Sequence, residues 1–217
     1  MDLFFFLHQR TQLIQHFYDS GVAPFTGTKR SIDDKKAPFE NPLYSEDPEP
    51  PYLEEWLQAN TEEQLVGRAC IAMLSESLKL YFQQWERQLR IRNACVKHFP
   101  KIFKEQGFVA GYTACFNFVV GIDWNDCPAD MGIIEQIVLA RNHTQHAGDT
   151  WPNITHPEDT REKYPNPFFA TPDDIGMDDE GGWFLAPSII VRREHVVEAI
   201  RQVDLLGAWL QERLYAL

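Results

Sequence analysis

Side chains suited to acid–base chemistry and phosphate binding follow one another closely at the end of a predicted helix. Residues 130–149 read DMGIIEQIVLARNHTQHAGD, and the second half of this stretch contains Arg141, Asn142, His143 and His146. An imidazole exchanges its proton near neutral pH, so it can serve as a general base or acid. A guanidinium stays charged and binds a phosphate through two parallel hydrogen bonds. The combination suits attack by an RNA 2′-hydroxyl on its neighbouring phosphate.

Each of these groups has an expected role in that reaction. His146 would remove or return the proton, and Arg141 would stabilise the extra charge on the pentacoordinate phosphorus. Asn142 would orient either group or donate a hydrogen bond to a developing oxyanion. His143 is an accessory candidate, because helical geometry turns it partly away from the Arg141 side. The reaction requires no metal, so we predict neither a cofactor nor a metal site.

The order of residues 141–146, RNHTQH, resembles the arginine, polar residue, three further residues, histidine motif of the HEPN (higher eukaryotes and prokaryotes nucleotide-binding) family. The context is also similar, because the motif follows an apolar helix and a final amphipathic helix comes later. The resemblance implies an all-α helical bundle that forms a homodimer, in which two motifs share one cleft. It also implies metal-independent endoribonuclease activity, with Arg141 and His146 as the catalytic pair and Asn142 as the assisting residue. Many members act in toxin–antitoxin or phage-defence systems, so an inhibitory protein partner is a further expectation.

Two other interpretations of the same residues remain open. The first is a catalytically inactive HEPN-like module that serves as an interaction scaffold. The second is a zinc or iron site with His143 and His146 as ligands, completed by His156 or Asp149. An arginine beside these ligands would oppose a dication, which disfavours the metal site. Residues 92–98 also fit a looser form of the motif, but residues 141–146 have the tighter spacing.

A basic run precedes the motif in a chain that is otherwise acidic. The formal net charge is −12, yet residues 87–104 contain six positive charges with no acidic residue between them. The six are Arg87, Arg90, Arg92, Lys97, Lys101 and Lys104. One interpretation is a solvated helix face, and the other is an electrostatic track for an RNA backbone. Because the rest of the surface would repel nucleic acid, any RNA must bind at a local patch such as this one.

The hydrophobic pattern predicts a single helical domain, residues 1–217. Apolar residues recur at intervals of three and four along most of the chain, as on one face of a helix. The predicted helices cover residues 3–18, 52–59, 61–93, a run from about 128 that Gly148 ends, and 194–214. The continuously apolar residues 107–122 could be a buried helix or a strand, and their alanines and length favour a helix. Gly21 and Pro24 are expected to end the first helix, and Thr61 with Gln64 to start the third as a capping box. Irregular surface segments are predicted at about 22–51 and 150–182, with a short strand or hairpin arm at 183–191.

Composition and cysteine spacing indicate the cellular compartment in which we expect the protein. Hydrophobic residues make up 44% of the chain, which is enough for a packed core. The four cysteines, Cys70, Cys95, Cys115 and Cys127, include no CxxC pair, so we predict reduced core thiols of a cytoplasmic protein. The apolar run at residues 3–7 is too short for a signal peptide or a membrane segment. No membrane association is therefore expected.

Overall fold

The computed structural model describes residues 2–42, 48–91, 93–145, 154–170 and 188–216. Within these ranges the regular structure consists of helices, and the prediction of an all-α helical bundle is confirmed. The helices are α1 (Leu3–Asp33), α2 (Leu53–Gln88), α3 (Ala94–His98), α4 (Pro100–Glu105), α5 (Gly107–Val120), α6 (Met131–Gln145), α7 (Glu158–Lys163) and α8 (Arg193–Tyr215). A 3-10 turn at Trp124–Asp126 precedes α6. None of the described helices is long and apolar enough to cross a membrane.

The first helix is longer than the sequence predicts. The expected end at Gly21 and Pro24 is wrong, because α1 continues through Pro24 to Asp33. A proline inside a helix removes one backbone donor and disfavours the preceding turn. Packing against α2 outweighs this cost, since Val22 is buried and Lys29 forms an ion pair with Glu63 of α2. The irregular segment predicted at 22–51 is therefore helical in its first part.

The two helices predicted at 52–59 and 61–93 are one continuous helix, α2. The expected capping box at Thr61 and Gln64 is wrong. The Thr61 hydroxyl instead donates to the carbonyl oxygen of Leu57 at 2.9 Å, which is a contact inside a helix. The Gln64 side chain accepts a hydrogen bond from the backbone N–H of Val191 at 2.8 Å. Both polar side chains serve tertiary or intrahelical contacts rather than a helix start.

The C-terminal end of α2 also differs from the prediction. The helix ends at Gln88 instead of near residue 93, and the chain then turns sharply. Arg90 and Asn93 both have φ of 60°, the left-handed region that ends helices. This turn folds α3 and α4 back toward α5, and the described residues of the basic run are divided between α2, the turn, α3 and α4.

The core lies between the long helices. α2 contacts α1, α6 and α8, and each helix contributes fully buried apolar side chains. The members with no exposed surface include Leu74, Leu78, Phe82, Ile134, Ile137, Val203, Leu206 and Leu210. The hydroxyl of Tyr81 crosses from α2 to α8, where it donates to the carbonyl oxygen of Gly207 at 2.7 Å. The helix that bears the motif, α6, is held in this core against α2 and α8.

The prediction of four reduced thiols is wrong for one pair. Cys95 of α3 and Cys115 of α5 form a disulfide with a Cα–Cα distance of 5.2 Å. Cys70 and Cys127 are free thiols. The pair is 20 residues apart in sequence, and only the turn after α2 brings α3 onto α5. Sequence spacing alone does not reveal that contact.

A buried carboxylate joins helices α2, α3 and α5. Glu86 of α2 is only 5% exposed and accepts a hydrogen bond from the backbone N–H of Cys95 at 3.2 Å. Its other oxygen accepts from the Tyr112 hydroxyl of α5, also at 3.2 Å. Burial and the neighbouring Glu86 carboxylate together raise the pKa of Tyr112, so its hydroxyl stays protonated and can donate. The position of the α3–α5 region is therefore set by polar contacts as well as by the disulfide.

Helices α5 and α8 follow the predicted bounds closely, but the start of α6 does not. A start near residue 128 was expected, and α6 begins at Met131. The Asp130 carboxylate accepts from the backbone N–H groups of Gly132 at 2.8 Å and Ile133 at 3.2 Å. This is the geometry of an N-terminal cap, because it satisfies amide donors that have no partner within the helix.

The segment predicted to be irregular at 150–182 contains the short helix α7 (Glu158–Lys163). Residues 183–187 of the predicted strand lie outside the described ranges. Ser188 forms an isolated antiparallel bridge with Thr155, so the described part of that prediction is a single bridge. The backbone N–H of Ile190 donates to the carbonyl oxygen of Phe169 at 2.9 Å, which fastens this segment to the chain after α7.

Candidate functional site

The last turn of α6 holds three of the four residues proposed for chemistry. Arg141, Asn142 and His143 lie on this turn, and all three side chains are half-buried. His146 lies outside the described residues. The Arg141 Nη1 donates to the Asn142 Oδ1 at 3.0 Å. The guanidinium and the amide therefore act as one unit immediately before residue 146.

The apolar stripe of α6 determines where the guanidinium lies. Ile134 and Val138 are buried, and Arg141 follows them by seven and three residues, so it continues the same face. The methylene groups of an arginine can lie along apolar neighbours while its charged end reaches a polar region. The Arg141 carbonyl oxygen accepts from the Thr144 hydroxyl at 2.9 Å, and a cation at this end of a helix is favourable.

His143 is held in a different environment from Arg141. Its Nε2 is buried and has no hydrogen-bond partner among the described residues. Burial lowers the pKa of His143, and the nearby Asp159 of α7 opposes this effect by raising it. The neutral imidazole is therefore favoured relative to an exposed histidine. A buried nitrogen without a partner is suited to one further hydrogen bond, which fits an accessory role.

The set of residues considered for a metal site lies only partly within the described chain. His146 and Asp149 lie outside it, and His156 is buried with its Nε2 3.1 Å from the carbonyl oxygen of Phe169. Among the described residues there is no group of three or more histidine, cysteine, aspartate or glutamate side chains that could hold a metal ion. His156 precedes α7 and contacts the segment that follows α7, which is a structural role.

The basic run keeps its described charges on the surface. Arg92 lies outside the described residues, and the other five side chains are exposed. They are Arg87 on α2, Arg90 in the turn, Lys97 on α3, and Lys101 and Lys104 on α4. The aromatic residues that alternate with these basic residues lie in two different environments. Phe103 packs edge-on against Tyr112 in the core, whereas Phe99 is half-buried beside exposed Phe118.

An apolar groove of about 730 Å³ lies beside this basic surface. It is bounded by α4, α5, the turn before α6 and the first two turns of α6. Its lining includes Phe99, Phe118, Trp124 and Glu135. Phe118 is 73% exposed, and its ring contacts Phe99 at a centroid distance of 5.7 Å. Exposed aromatic rings can stack on the bases of single-stranded nucleic acid. The charged residues in the lining of this groove, Asp123 and Glu135, are acidic, so any basic contacts come from the neighbouring surface.

Sequence reasoning did not identify Phe118 and Trp124 as binding candidates. Phe118 lies in a continuously apolar run, where no spacing distinguishes an outward ring from core residues. Trp124 belongs to the 3-10 turn, whose position depends on contact with Trp209 of α8 at 5.2 Å between ring centroids. No local pattern encodes that contact.

The groove and the motif occupy related positions on α6. Glu135 lines the groove, and Asn142 follows it by seven residues, which places both on the same side of the helix about 10 Å apart along its axis. Arg141 is not part of the groove wall. Glu135 also accepts hydrogen bonds from Lys163 at 2.6 Å and from the Tyr164 hydroxyl at 2.9 Å.

No protein-family model, curated protein or solved structure matches this chain. The resemblance to the HEPN family therefore stays a prediction from the sequence of residues 141–146. Any function must be argued from the site itself, because a fold class does not define an activity.

Proposed function

We propose that this protein is a metal-independent endoribonuclease of the HEPN type, with Arg141, Asn142 and His146 at its active site. The observation that carries the proposal is the hydrogen-bonded pair of Arg141 and Asn142 at the end of α6. A guanidinium with a fixed orientation provides what a phosphoryl-transfer transition state needs, namely charge stabilisation that requires no reorganisation.

In the proposed reaction, His146 takes the proton from the RNA 2′-hydroxyl, and the 2′-oxygen forms a bond to the adjacent phosphorus. The bond from phosphorus to the 5′-oxygen breaks, and that oxygen receives a proton. The products are a 2′,3′-cyclic phosphate and a 5′-hydroxyl end. Arg141 stabilises the non-bridging oxygens while negative charge accumulates on them, and Asn142 positions the guanidinium through the observed hydrogen bond.

We further propose that the basic run and the aromatic groove hold the RNA. Lys97 and Lys101 would contact phosphates, and Phe118 would stack on a base. The exposure of all three side chains supports this assignment. The alignment of Glu135 and Asn142 on one side of α6 supports an RNA path from the groove toward the motif. By the family resemblance, two copies would pair in the cytoplasm, and an inhibitory protein of a toxin or defence system would be the regulator.

The proposal is tested by incubating the purified full-length protein with a panel of labelled RNAs in the presence of EDTA. We expect cleavage products with cyclic phosphate ends. Arg141→Ala and His146→Ala should each lower the rate by about 100-fold or more, which is the usual contribution of such groups. Arg201→Ala and His16→Ala remove the same side-chain types elsewhere on the surface and should retain activity. Light scattering on the same samples reports whether the protein is a dimer.

Activity that survives both Arg141→Ala and His146→Ala would overturn the site assignment. Asn142→Ala separates positioning from direct chemistry, because loss of a positioning hydrogen bond should cost about tenfold rather than 100-fold. Cleavage that stops in EDTA would contradict the metal-independent mechanism.

A second candidate function is an interaction module without catalysis. One observation favours it: large apolar side chains on α1 are exposed, and Met73 of α2 lies beside them. Phe5, Phe6, Leu13 and Phe17 are 50%, 51%, 66% and 48% exposed, respectively. Clustered exposed apolar residues are characteristic of protein-binding surfaces. A wild-type protein that forms stable complexes but cleaves none of the RNAs would favour this function.

A further inference from the structure

A second concave site lies between α1, α2 and the segment that leads into α8. It is a cavity of about 620 Å³, within the range of small-molecule sites. Part of its lining is buried and mainly apolar, since Tyr18 and Ile189 are each 1% exposed and Val22 is 8% exposed. Arg141 does not line this cavity, so it is separate from the proposed ribonuclease site.

Positive charge predominates in the wall of this cavity. Five basic and two acidic side chains line it, in a chain whose formal net charge is −12. The basic residues are Lys29, Arg30, Arg68, Arg192 and Arg193, and the acidic residues are Glu63 and Glu194. A concave site with low-polarity walls focuses such charge and raises the local concentration of anions.

Two of the cations form a fixed frame around the cavity. Lys29 forms an ion pair with Glu63 at 2.6 Å, donates to Asn60 at 3.1 Å and lies 5.2 Å from the centroid of the Trp56 ring. Arg193 of α8 donates to both carboxylate oxygens of Asp19 of α1, at 2.7 and 3.2 Å. These contacts join the three walls, so the cavity exists before any ligand binds.

The other arginines supply planar groups that match anionic oxygens. Arg68 is half-buried on α2, and burial lowers the pKa of its guanidinium because the charge is partly removed from water. Charge–charge attraction is stronger in such surroundings than in bulk solvent. Arg192 stands directly before α8, whose first amides also favour an anion. Arg30 lies at the end of α1 on the opposite wall.

We propose that this cavity binds a compact polyanion whose phosphate or carboxylate groups contact Arg30, Arg68 and Arg192. A guanidinium binds either group through paired hydrogen bonds, so these two ligand sources share one recognition chemistry. The apolar floor with the Trp56 ring at its edge accommodates the non-ionic part of the ligand. Binding links α1, α2 and α8, and so stabilises the folded protein.

Isothermal titration calorimetry on the full-length protein at low ionic strength tests this proposal, with pyrophosphate and citrate as separate probes. We expect one-to-one binding of at least one probe and a rise in melting temperature that increases with its concentration. Arg68→Gln and Arg192→Gln should each weaken binding about tenfold or more, because each removes a charged hydrogen-bond donor. Arg192 is exposed, so its substitution leaves the packing of the core unchanged.

Arg213→Gln is the matched control. It removes the same charge from α8, about 30 Å along that helix from Arg193, and should bind as the wild type does. Binding of pyrophosphate alone would identify phosphate as the ligand chemistry, and binding of both probes would extend it to carboxylates. Absence of binding by either probe, or equal weakening in all three variants, would overturn the proposal. RNA cleavage by the same proteins reports separately on the ribonuclease site.

Discussion

His195 lies one turn inside the start of α8, between two backbone groups and two phenylalanine rings. Its Nδ1 is 3.2 Å from the backbone N of Arg192, which donates to it, and 3.0 Å from the carbonyl oxygen of Ile190. The ring centroid is 5.3 Å from that of Phe168 and 5.9 Å from that of Phe169. An unprotonated Nδ1 accepts the Arg192 hydrogen bond and completes the capping of α8, whereas a protonated Nδ1 donates to the Ile190 carbonyl oxygen and cannot accept from Arg192.

This environment makes His195 a source of pH-dependent stability. Burial is the largest influence and lowers the pKa of His195 below its ordinary value of about 6.5. The unfolded chain therefore binds a proton more readily than the folded chain does. The contribution of His195 to the free energy of unfolding is present above about pH 6.5 and is lost as the pH falls toward its folded-state pKa.

We predict that His195→Asn flattens the pH dependence of stability between about pH 7 and 5, since asparagine can accept the same backbone hydrogen bond without titrating. Urea unfolding at several pH values measures this difference, and the slope matters rather than the absolute stability. His16→Asn removes an exposed imidazole and should retain the wild-type slope. Equal slopes for wild type and His195→Asn would contradict the prediction.

At the scale of single residues, the sequence predicts the order of the motif residues along a helix, but it does not predict what most of their side chains contact. The sequence places Arg141 next to Asn142 on a helix, and their side chains do meet. It could not indicate that the His143 Nε2 is buried, because that depends on how α7 packs near the end of α6. It also could not indicate the second cluster of arginines, since Arg30, Arg68 and Arg192 are distant in the chain.

At the scale of elements, the contact of α2 with the segment before α8 depends on one glycine. A Cβ atom added to Gly67 would lie 2.8 Å from the Cβ of Val191 and 3.0 Å from its carbonyl oxygen. Val191 is fully buried, and its backbone N–H donates to Gln64 on the same helix. The segment that contains Val191 cannot move away from Gly67 without breaking that hydrogen bond or exposing the buried Val191 side chain.

We therefore predict that Gly67→Ala destabilises the protein by about 1–2 kcal/mol, because the steric cost exceeds the gain in helix propensity. Gly27→Ala is the matched control on α1, where an added Cβ meets nothing within 4 Å. There, only the gain in helix propensity applies, and the protein should become more stable by about 0.5–1 kcal/mol. Thermal unfolding of the two variants measures opposite shifts, and shifts of the same sign would contradict this account.

Element boundaries show which sequence signals hold and which are overridden. The uninterrupted apolar periodicity of α8 predicted its bounds within about one residue. Pro24 and the pair Thr61/Gln64 are local signals, and tertiary contacts of α1 and α2 outweigh both of them. The chain reverses direction after Gln88 at two residues that have a left-handed backbone conformation but are not glycines. No turn motif in the sequence therefore predicts this reversal. Local patterns thus predict long amphipathic helices better than the turns between them.

At the scale of the whole molecule, the distribution of charge constrains how RNA can approach. A formal net charge of −12 repels a polyanion at long range, so association requires a local basic surface. The exposed lysines of α3 and α4 lie beside the aromatic groove, whereas Lys35 and Lys36 follow α1 far along the chain and are also exposed. Lys97 with Lys101, and Lys35 with Lys36, are two pairs of equal charge, so substituting each pair distinguishes a specific RNA track from a general effect of net charge.

We predict that Lys97→Gln/Lys101→Gln weakens RNA binding and makes its salt dependence shallower. Each phosphate contact with single-stranded nucleic acid contributes about 0.7 to the slope of log affinity against log salt, so losing two contacts should reduce the slope by about 1.4. Lys35→Gln/Lys36→Gln gives the same net charge but should leave the slope unchanged, because these residues follow α1, whereas Lys97 and Lys101 neighbour the groove-lining residues Phe99 and Ile102 in the chain. Fluorescence anisotropy with a labelled single-stranded RNA, measured from low to moderate salt, determines both slopes. If the two double variants lose affinity equally and keep equal slopes, RNA responds only to overall charge, and α3 and α4 do not form its track.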